Sequence, residues 1–266
     1  MTHPRASIEE AAGTPPYWKR SKRPLAILVF LLPFVLVYEL SLAIAPPAGA
    51  GLELVAYRGI DDVFGNVLQP IIENVFGPSA TVWWTTMTVP GILLVLCLLA
   101  WHVMIRDPWR LEGPTVPLMW IESVLAAVPV MLVGVVLRGF SASILQEGGD
   151  APPPDPGVFE LAAMAVGAGL YEELVFRWVL ISVVHTLLVD LLKVAEKVAV
   201  PVAIAVSSLL FMWAHGPEGA AAHLFYLAAG GWFSVLYLWR GFGIAAGAHI
   251  AYDLAWVLGQ VSGGGT

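Results

Sequence analysis

Long apolar runs constrain this chain more than any other feature of its 266 residues. A helix crossing the roughly 30 Å hydrocarbon layer of a bilayer needs about 20 mostly apolar residues. Leu25–Ala45 meets that length with Glu39 as its one charge. Thr81–Ile105 meets it with none, and Val116–Leu137 meets it around Glu122. Val198–Ala214, His223–Trp239 and Ile244–Val261 supply three more. Val158–Leu192 is too long for one straight crossing, which predicts a crossing plus an interfacial helix, hinged near Gly167 and Gly169. The fold class that follows is all-α, a polytopic transmembrane helical bundle of about seven membrane-spanning helices. An eighth is added if the segment after Arg177 crosses separately.

Composition agrees. Residues AVILMFWYC make up 58% of the chain and charged residues only 12%, against roughly 25% charged in a soluble domain. With 13 Lys and Arg against 20 Asp and Glu, the net charge is −7. So little charge excludes a soluble globular enzyme and a disordered chain, and the sign excludes a basic nucleic-acid binder. The partner expected from composition is a lipid bilayer, with no nucleic acid. The single cysteine, Cys97, rules out an intramolecular disulfide framework. Within its Leu-rich run it is expected as a small buried hydrophobe.

Lys19, Arg20, Lys22 and Arg23 precede the first run, so positive-inside reasoning puts the N-terminus in the cytoplasm of a multi-pass cell-membrane protein. A cleaved signal peptide fits less well, because Pro46 would follow the small-residue site at Ala43–Ala45. Arg106, Arg110, Lys193, Lys197 and Arg240 then fall inside. Asp61, Asp62 and Glu73, and later Glu147, Asp150 and Asp155, fall outside. The helical spacing of Ile60, Val63, Phe64, Val67, Ile71 and Ile72 predicts an interfacial amphipathic helix. Three units result: a cytoplasmic segment over 1–24, N-terminal membrane helices with that loop helix over 25–150, and a C-terminal membrane domain over 157–261.

An ionisable side chain in hydrocarbon is costly, at about 2.5 kcal/mol or more when unpaired, and is a functional candidate by default. Glu39 and Glu122 stand alone in apolar helices and fit helix–helix hydrogen bonding in protonated form. Residues 171–177, Tyr-Glu-Glu-Leu-Val-Phe-Arg, differ. Glu173 and Arg177 are four apart and can pair on one face. Glu172 points about 100° away and stays free for other work. His215 ends one crossing in Phe-Met-Trp-Ala-His, and His249-Ile-Ala-Tyr-Asp253 lies inside the last. At i,i+4, Asp253 can accept a hydrogen bond from the His249 imidazole. Together these groups offer a general base, proton shuttles and a polariser for an oxyanion. Alternatively Glu172, His215 and His249 could hold a zinc ion with an open position for water. His185 and His223 are weaker, interfacial candidates. Ser207-Ser208 has no histidine at helical distance, so a serine nucleophile has little support.

Glu172-Glu173-x-x-x-Arg177, Phe211-x-x-x-His215 and His249-x-x-x-Asp253, in that order on apolar segments, resemble the CPBP family of intramembrane proteases. That family includes the type II CAAX prenyl proteases and bacteriocin-processing or immunity proteins. The resemblance covers roughly residues 160–260. It implies a peptide or membrane-protein substrate, and Glu172 as the base that activates water, with Glu173 and Arg177 supporting it. It implies His215 sharing the water or binding a metal, and His249 with Asp253 polarising the scissile carbonyl. Members are described both as zinc-dependent and as metal-independent glutamate proteases, so Zn2+ stays open. Two departures stand out. Asp253 occupies a position where many members carry Asn, so it must be protonated to donate to an oxyanion, or else only hold His249. Trp178 replaces a common Gly and is expected to narrow the cavity. Two other readings compete with the protease: a non-catalytic scaffold or immunity protein on the same fold, and a proton-coupled transporter using Glu39 or Glu122.

Overall fold

The computed structural model describes residues 15–44, 89–141 and 158–263. The expected loop helix around Ile60–Ile72 and the acidic loops lie outside them. The elements are a short α1 (Tyr17–Arg20), α2 (Pro24–Ile44), α3 (Val89–Ile105), α4 (Thr115–Ser141) and α5 (Val158–Glu172). The last of these continues without a break as a π-helical run (Glu173–Ile181), α6 (Ser182–Thr186) and a second π run (Leu187–Leu191). Then follow α7 (Glu196–Ala214), α8 (Gly219–Arg240) and α9 (Phe242–Gly263). No strand occurs among the described residues.

Six of these helices are long and apolar enough to cross a membrane, and a seventh, Gly91–Ile105, is apolar but shorter. This is a multi-pass membrane protein. Its outside is as apolar as its inside: Leu36, Met104, Leu132 and Leu258 all stand more than half exposed on outer helix faces. In water such a surface would aggregate; in lipid it is solvated. The same symmetry explains why Cys97 is exposed rather than buried. It shares the outer face of α3 with Leu93 and Leu96, while Leu94 and Leu98 turn inward. Hydropathy cannot separate two faces that are equally apolar.

The long segment also differs from expectation. Leu161–Leu191 is one helix of 31 residues, about 46 Å at 1.5 Å per residue, so the stretch after Arg177 runs on instead of turning back to cross separately. Gly167 and Gly169 do not hinge it. A Cβ at Gly167 would collide with the Tyr38 ring of α2, and one at Gly169 with Ile250 of α9. Both glycines let neighbouring backbones approach, the usual role of small residues between membrane helices. α9 uses the same device, with Gly247 against Phe30 and Ser123 amid buried Ala245, Ala246 and Ala248. It is the central helix, packed on α4, α5 and α8.

The basic residues gather at one end. Arg20 donates to the Glu112 carbonyl at 3.0 Å, and Arg23 pairs with Glu112 at 3.3 Å and Asp107 at 3.5 Å. Arg240 forks onto both oxygens of Glu122 and reaches the Trp18 carbonyl and Ser21 Oγ. Tyr17 donates to the same carboxylate at 2.5 Å. Glu122 is therefore an ion-pair partner rather than a lone protonated acid. The N-terminal cluster, the 106–114 loop and Arg240 share one end of the bundle, as the charge pattern predicts.

Candidate active site

A cavity of ≈ 280 Å³ lies between α5, α7, α8 and α9. Its walls are mostly apolar and aromatic, with Met164, Phe225, Phe233 and Trp256 among them. Glu172, His215, His249 and Asp253 reach it from three separate motifs. These residues are far apart in sequence, and only the packing of α5, α7 and α9 brings them together.

Glu172 is the last residue of α5 proper. Immediately after it the backbone widens into the π-helical run, a rare geometry often found at functional sites. Glu172 Oε2 lies 3.6 Å from His215 Nε2 and 3.9 Å from His249 Nε2. That oxygen is buried yet accepts no hydrogen bond from a described residue. Buried carboxylate oxygens are nearly always satisfied, so an orphan facing a cavity needs a reason. His215 caps α7, with Nδ1 2.7 Å from the Phe211 carbonyl. A carbonyl only accepts, so Nδ1 carries the proton and Nε2 is turned to Glu172. Its ring stacks on Tyr226 at 4.2 Å.

Glu173 points elsewhere, as the one-residue offset on a helix requires. Glu173 and Arg177 form the expected i,i+4 pair at 2.9 Å, with both side chains wholly buried and neither lining the cavity. Neither member of the pair hydrogen-bonds to Glu172. Glu173 Oε1 instead takes His249 Nδ1 at 2.8 Å, which leaves Nε2 facing the cavity. Phe233 stacks parallel on the same imidazole at 4.6 Å. Arg177 lies over the Phe211 ring at 4.2 Å and reaches the Gly230 carbonyl at 3.4 Å, which links α5, α7 and α8. Asp253 approaches the His249 imidazole at the expected i,i+4 spacing. Its Oδ2 sits 3.4 Å from Nε2, the cavity-side nitrogen, because Glu173 already occupies the other one.

Other expectations are corrected or placed outside the site. Trp178 does not narrow the cavity; it packs on Phe242 at 5.0 Å and Trp101 at 5.8 Å, on the other side of its helix. Ser207 and Ser208 donate to the backbone carbonyls of Phe176 and Ile204. His223 is exposed and bonded to its own helix, and His185 does not line the cavity. Glu39 accepts a hydrogen bond from Tyr171 at 2.9 Å, and Glu122 is tied to Arg240, so neither lines a shared path with the other. Tyr226, Phe233, Tyr252 and Trp256 line the cavity without having been singled out from the sequence. Tyr226 and Phe233 are seven apart and Tyr252 and Trp256 four apart, but an aromatic stripe at helical spacing reads equally well as core.

Glu172, His215 and His249, the three suggested zinc ligands, do converge. Among the described residues, however, no group of three His, Cys, Asp or Glu side chains is arranged to hold a metal ion. Glu173 and Asp253 flank the two nitrogens of His249, which leaves it poorly placed as a ligand, and no step below is routed through a metal.

Residues 154–255 match the family model described as "Type II CAAX prenyl endopeptidase Rce1-like". No curated protein and no solved structure matches the chain. The matched stretch contains all three motifs, with α5, α7 and α8 complete and α9 as far as residue 255. That stretch, somewhat under half of the chain, is similar to the type II CAAX prenyl endopeptidases.

Proposed function

We propose that the protein is an intramembrane endopeptidase that hydrolyses a peptide bond of a membrane-associated protein or peptide. The observation that carries this reading is Glu172 on the cavity wall, its buried Oε2 within 4 Å of two imidazoles and accepting no hydrogen bond from a described residue. Glu172 takes a proton from water as its oxygen attacks the scissile carbonyl. His215, whose Nε2 accepts, shares that water. His249 in its doubly protonated form donates from Nδ1 to Glu173 and from Nε2 to the developing oxyanion. The proton held by Glu172 then passes to the leaving amine as the C–N bond breaks. Glu173 and Arg177 fix the imidazole rather than touching substrate.

The family description supports a CAAX-type, prenylated substrate, and the aromatic walls of the cavity suit an apolar group beside the scissile bond. We further propose that the end bearing Arg20, Arg23 and Arg240 is cytoplasmic. The cavity takes Phe225, Tyr226, Ala229 and Phe233 from α8 and residues from His249 to Val257 from α9, away from the Arg240 end of both helices, which supports an opening in the outer half of the membrane. The N-terminal segment 1–24 and helices of 25–150 then serve as support for a catalytic domain over 157–261.

The test is cleavage of a farnesylated CAAX-type peptide by purified protein, together with the peptidomes of cells carrying the native chain or Glu172→Gln. Loss of cleavage in Glu172→Gln and His249→Ala with intact membrane insertion supports the mechanism. Unaltered biological function in Glu172→Gln favours a scaffold instead. Inhibition by a chelator that zinc reverses would replace the water-only scheme.

A further inference from the structure

Outside the matched family stretch, α2 and α3 meet the catalytic helix one residue before its base. Tyr171 donates its phenolic hydrogen to Glu39 Oε1 at 2.9 Å, and its ring packs edge-on against Tyr38 at 5.1 Å. Space for this bond comes from two glycines. A Cβ at Gly91 of α3 would collide with Glu39 Oε1 and lie 3.1 Å from the Tyr171 hydroxyl, and one at Gly167 would collide with the Tyr38 ring. Tyr171 is almost fully buried. Three helices therefore converge on a single hydroxyl, on the side of α5 away from the cavity.

We infer that Glu39 and Tyr171 are positioning residues: their hydrogen bond fixes the rotation of α5 at the turn where it becomes π-helical, and so aims Glu172 at its water. Adjacent residues on a helix point about 100° apart. Anchoring Tyr171 outward thus holds Glu172 toward His215 and His249. An anchor is needed here because a π-helical turn is poorly self-supporting, and residues 173–181 begin directly after the base. A carboxylate in apolar surroundings is also an expensive way to join two helices, which a merely packed contact would not require. The inference rests on the proposed role of Glu172 as base.

Three variants of the full chain test it in detergent: Tyr171→Phe, which removes only the hydroxyl, Glu39→Leu, which removes the acceptor, and Glu39→Gln, which keeps one. The first readout is steady-state cleavage of the farnesylated CAAX-type peptide. A 1 Å misplacement of a catalytic group can lower a rate by roughly 100-fold, so kcat should fall roughly 10- to 100-fold in the first two variants. KM should stay within about twofold, and Glu39→Gln should restore most of the rate. The second readout needs no substrate. The rate at which dicyclohexylcarbodiimide modifies Glu172, followed by mass spectrometry, should change at least threefold or so in Tyr171→Phe and Glu39→Leu but not in Glu39→Gln. If the native chain cuts the peptide and Tyr171→Phe keeps its kcat, the inference is overturned. If the native chain does not cut it, the substrate reading fails separately and the labelling decides, with an unchanged rate at Glu172 overturning the inference. A lower melting temperature with unchanged kcat per folded molecule marks a purely structural bond and also overturns it.

Discussion

Two Glu–Arg pairs are buried in this bundle, and they do different work. At the basic end, Arg240 clasps Glu122, which also accepts from Tyr17, and the remaining guanidinium donors hold Trp18 and Ser21. Every partner there is structural, and the result ties the N-terminal segment across α4 and α8. In the middle of the bundle, Arg177 pairs with Glu173, whose same oxygen holds an imidazole that faces a cavity. Beside it stands a second carboxylate, Glu172, which unlike Glu173 lines the cavity. A buried ion pair by itself is weak evidence of anything but helix registry. The carboxylate that lines the cavity between two imidazoles, next to the pair, is what marks the site.

That contrast can be broken in four places. Glu172→Gln should lower cleavage by at least about 100-fold with little change in melting temperature; a chain that still cuts would make both pairs structural. Arg177→Ala leaves a wholly buried carboxylate without its cation and should destabilise the fold by about 3–5 kcal/mol, seen as a large drop in melting temperature or loss of expression. A stable Arg177→Ala protein would mean that Glu173 is satisfied by His249 alone. Arg240→Ala should have a smaller effect, about 1.5–3 kcal/mol, because Glu122 is a quarter exposed and keeps Tyr17. The folded fraction should cleave at the native rate, and loss of activity there would couple the two pairs. The smallest effect concerns pH. Burial first, and then the hydrogen bond and charge of Glu122, push the Tyr17 phenol above the ordinary tyrosine range. The folded state then keeps a proton that the unfolded state releases above about pH 10. Stability should therefore fall as pH rises beyond that point in the native chain. In Tyr17→Phe this alkaline slope should be shallower, and an equal slope in both would remove Tyr17 from the cluster.

Much of this was legible in the chain itself. Helical content and the run of spans follow from apolar length, and the grouping of Arg20, Arg23 and Arg240 at one end follows from the positive-inside pattern. The Glu173–Arg177 pair follows from i,i+4 spacing. What failed was anything that depends on which helix lies beside which. Trp178 was expected in the cavity and faces Trp101 and Phe242. Gly167 and Gly169 were expected to bend a helix and instead admit Tyr38 and Ile250. Asp253 keeps its expected i,i+4 approach to His249, but the partner of the other ring nitrogen, Glu173, lies 76 residues away in sequence and was not foreseen.

The sequence alone determined that the chain must live in a membrane and which few charged residues had to be explained, because hydrocarbon tolerates an ionisable group only where something pairs with it. It could not assign partners. In lipid both faces of a helix are apolar, so hydropathy is silent on which face turns inward. Tertiary packing decided that two glutamates one residue apart serve different ends: Glu173 bonded into the protein, Glu172 left open to the cavity.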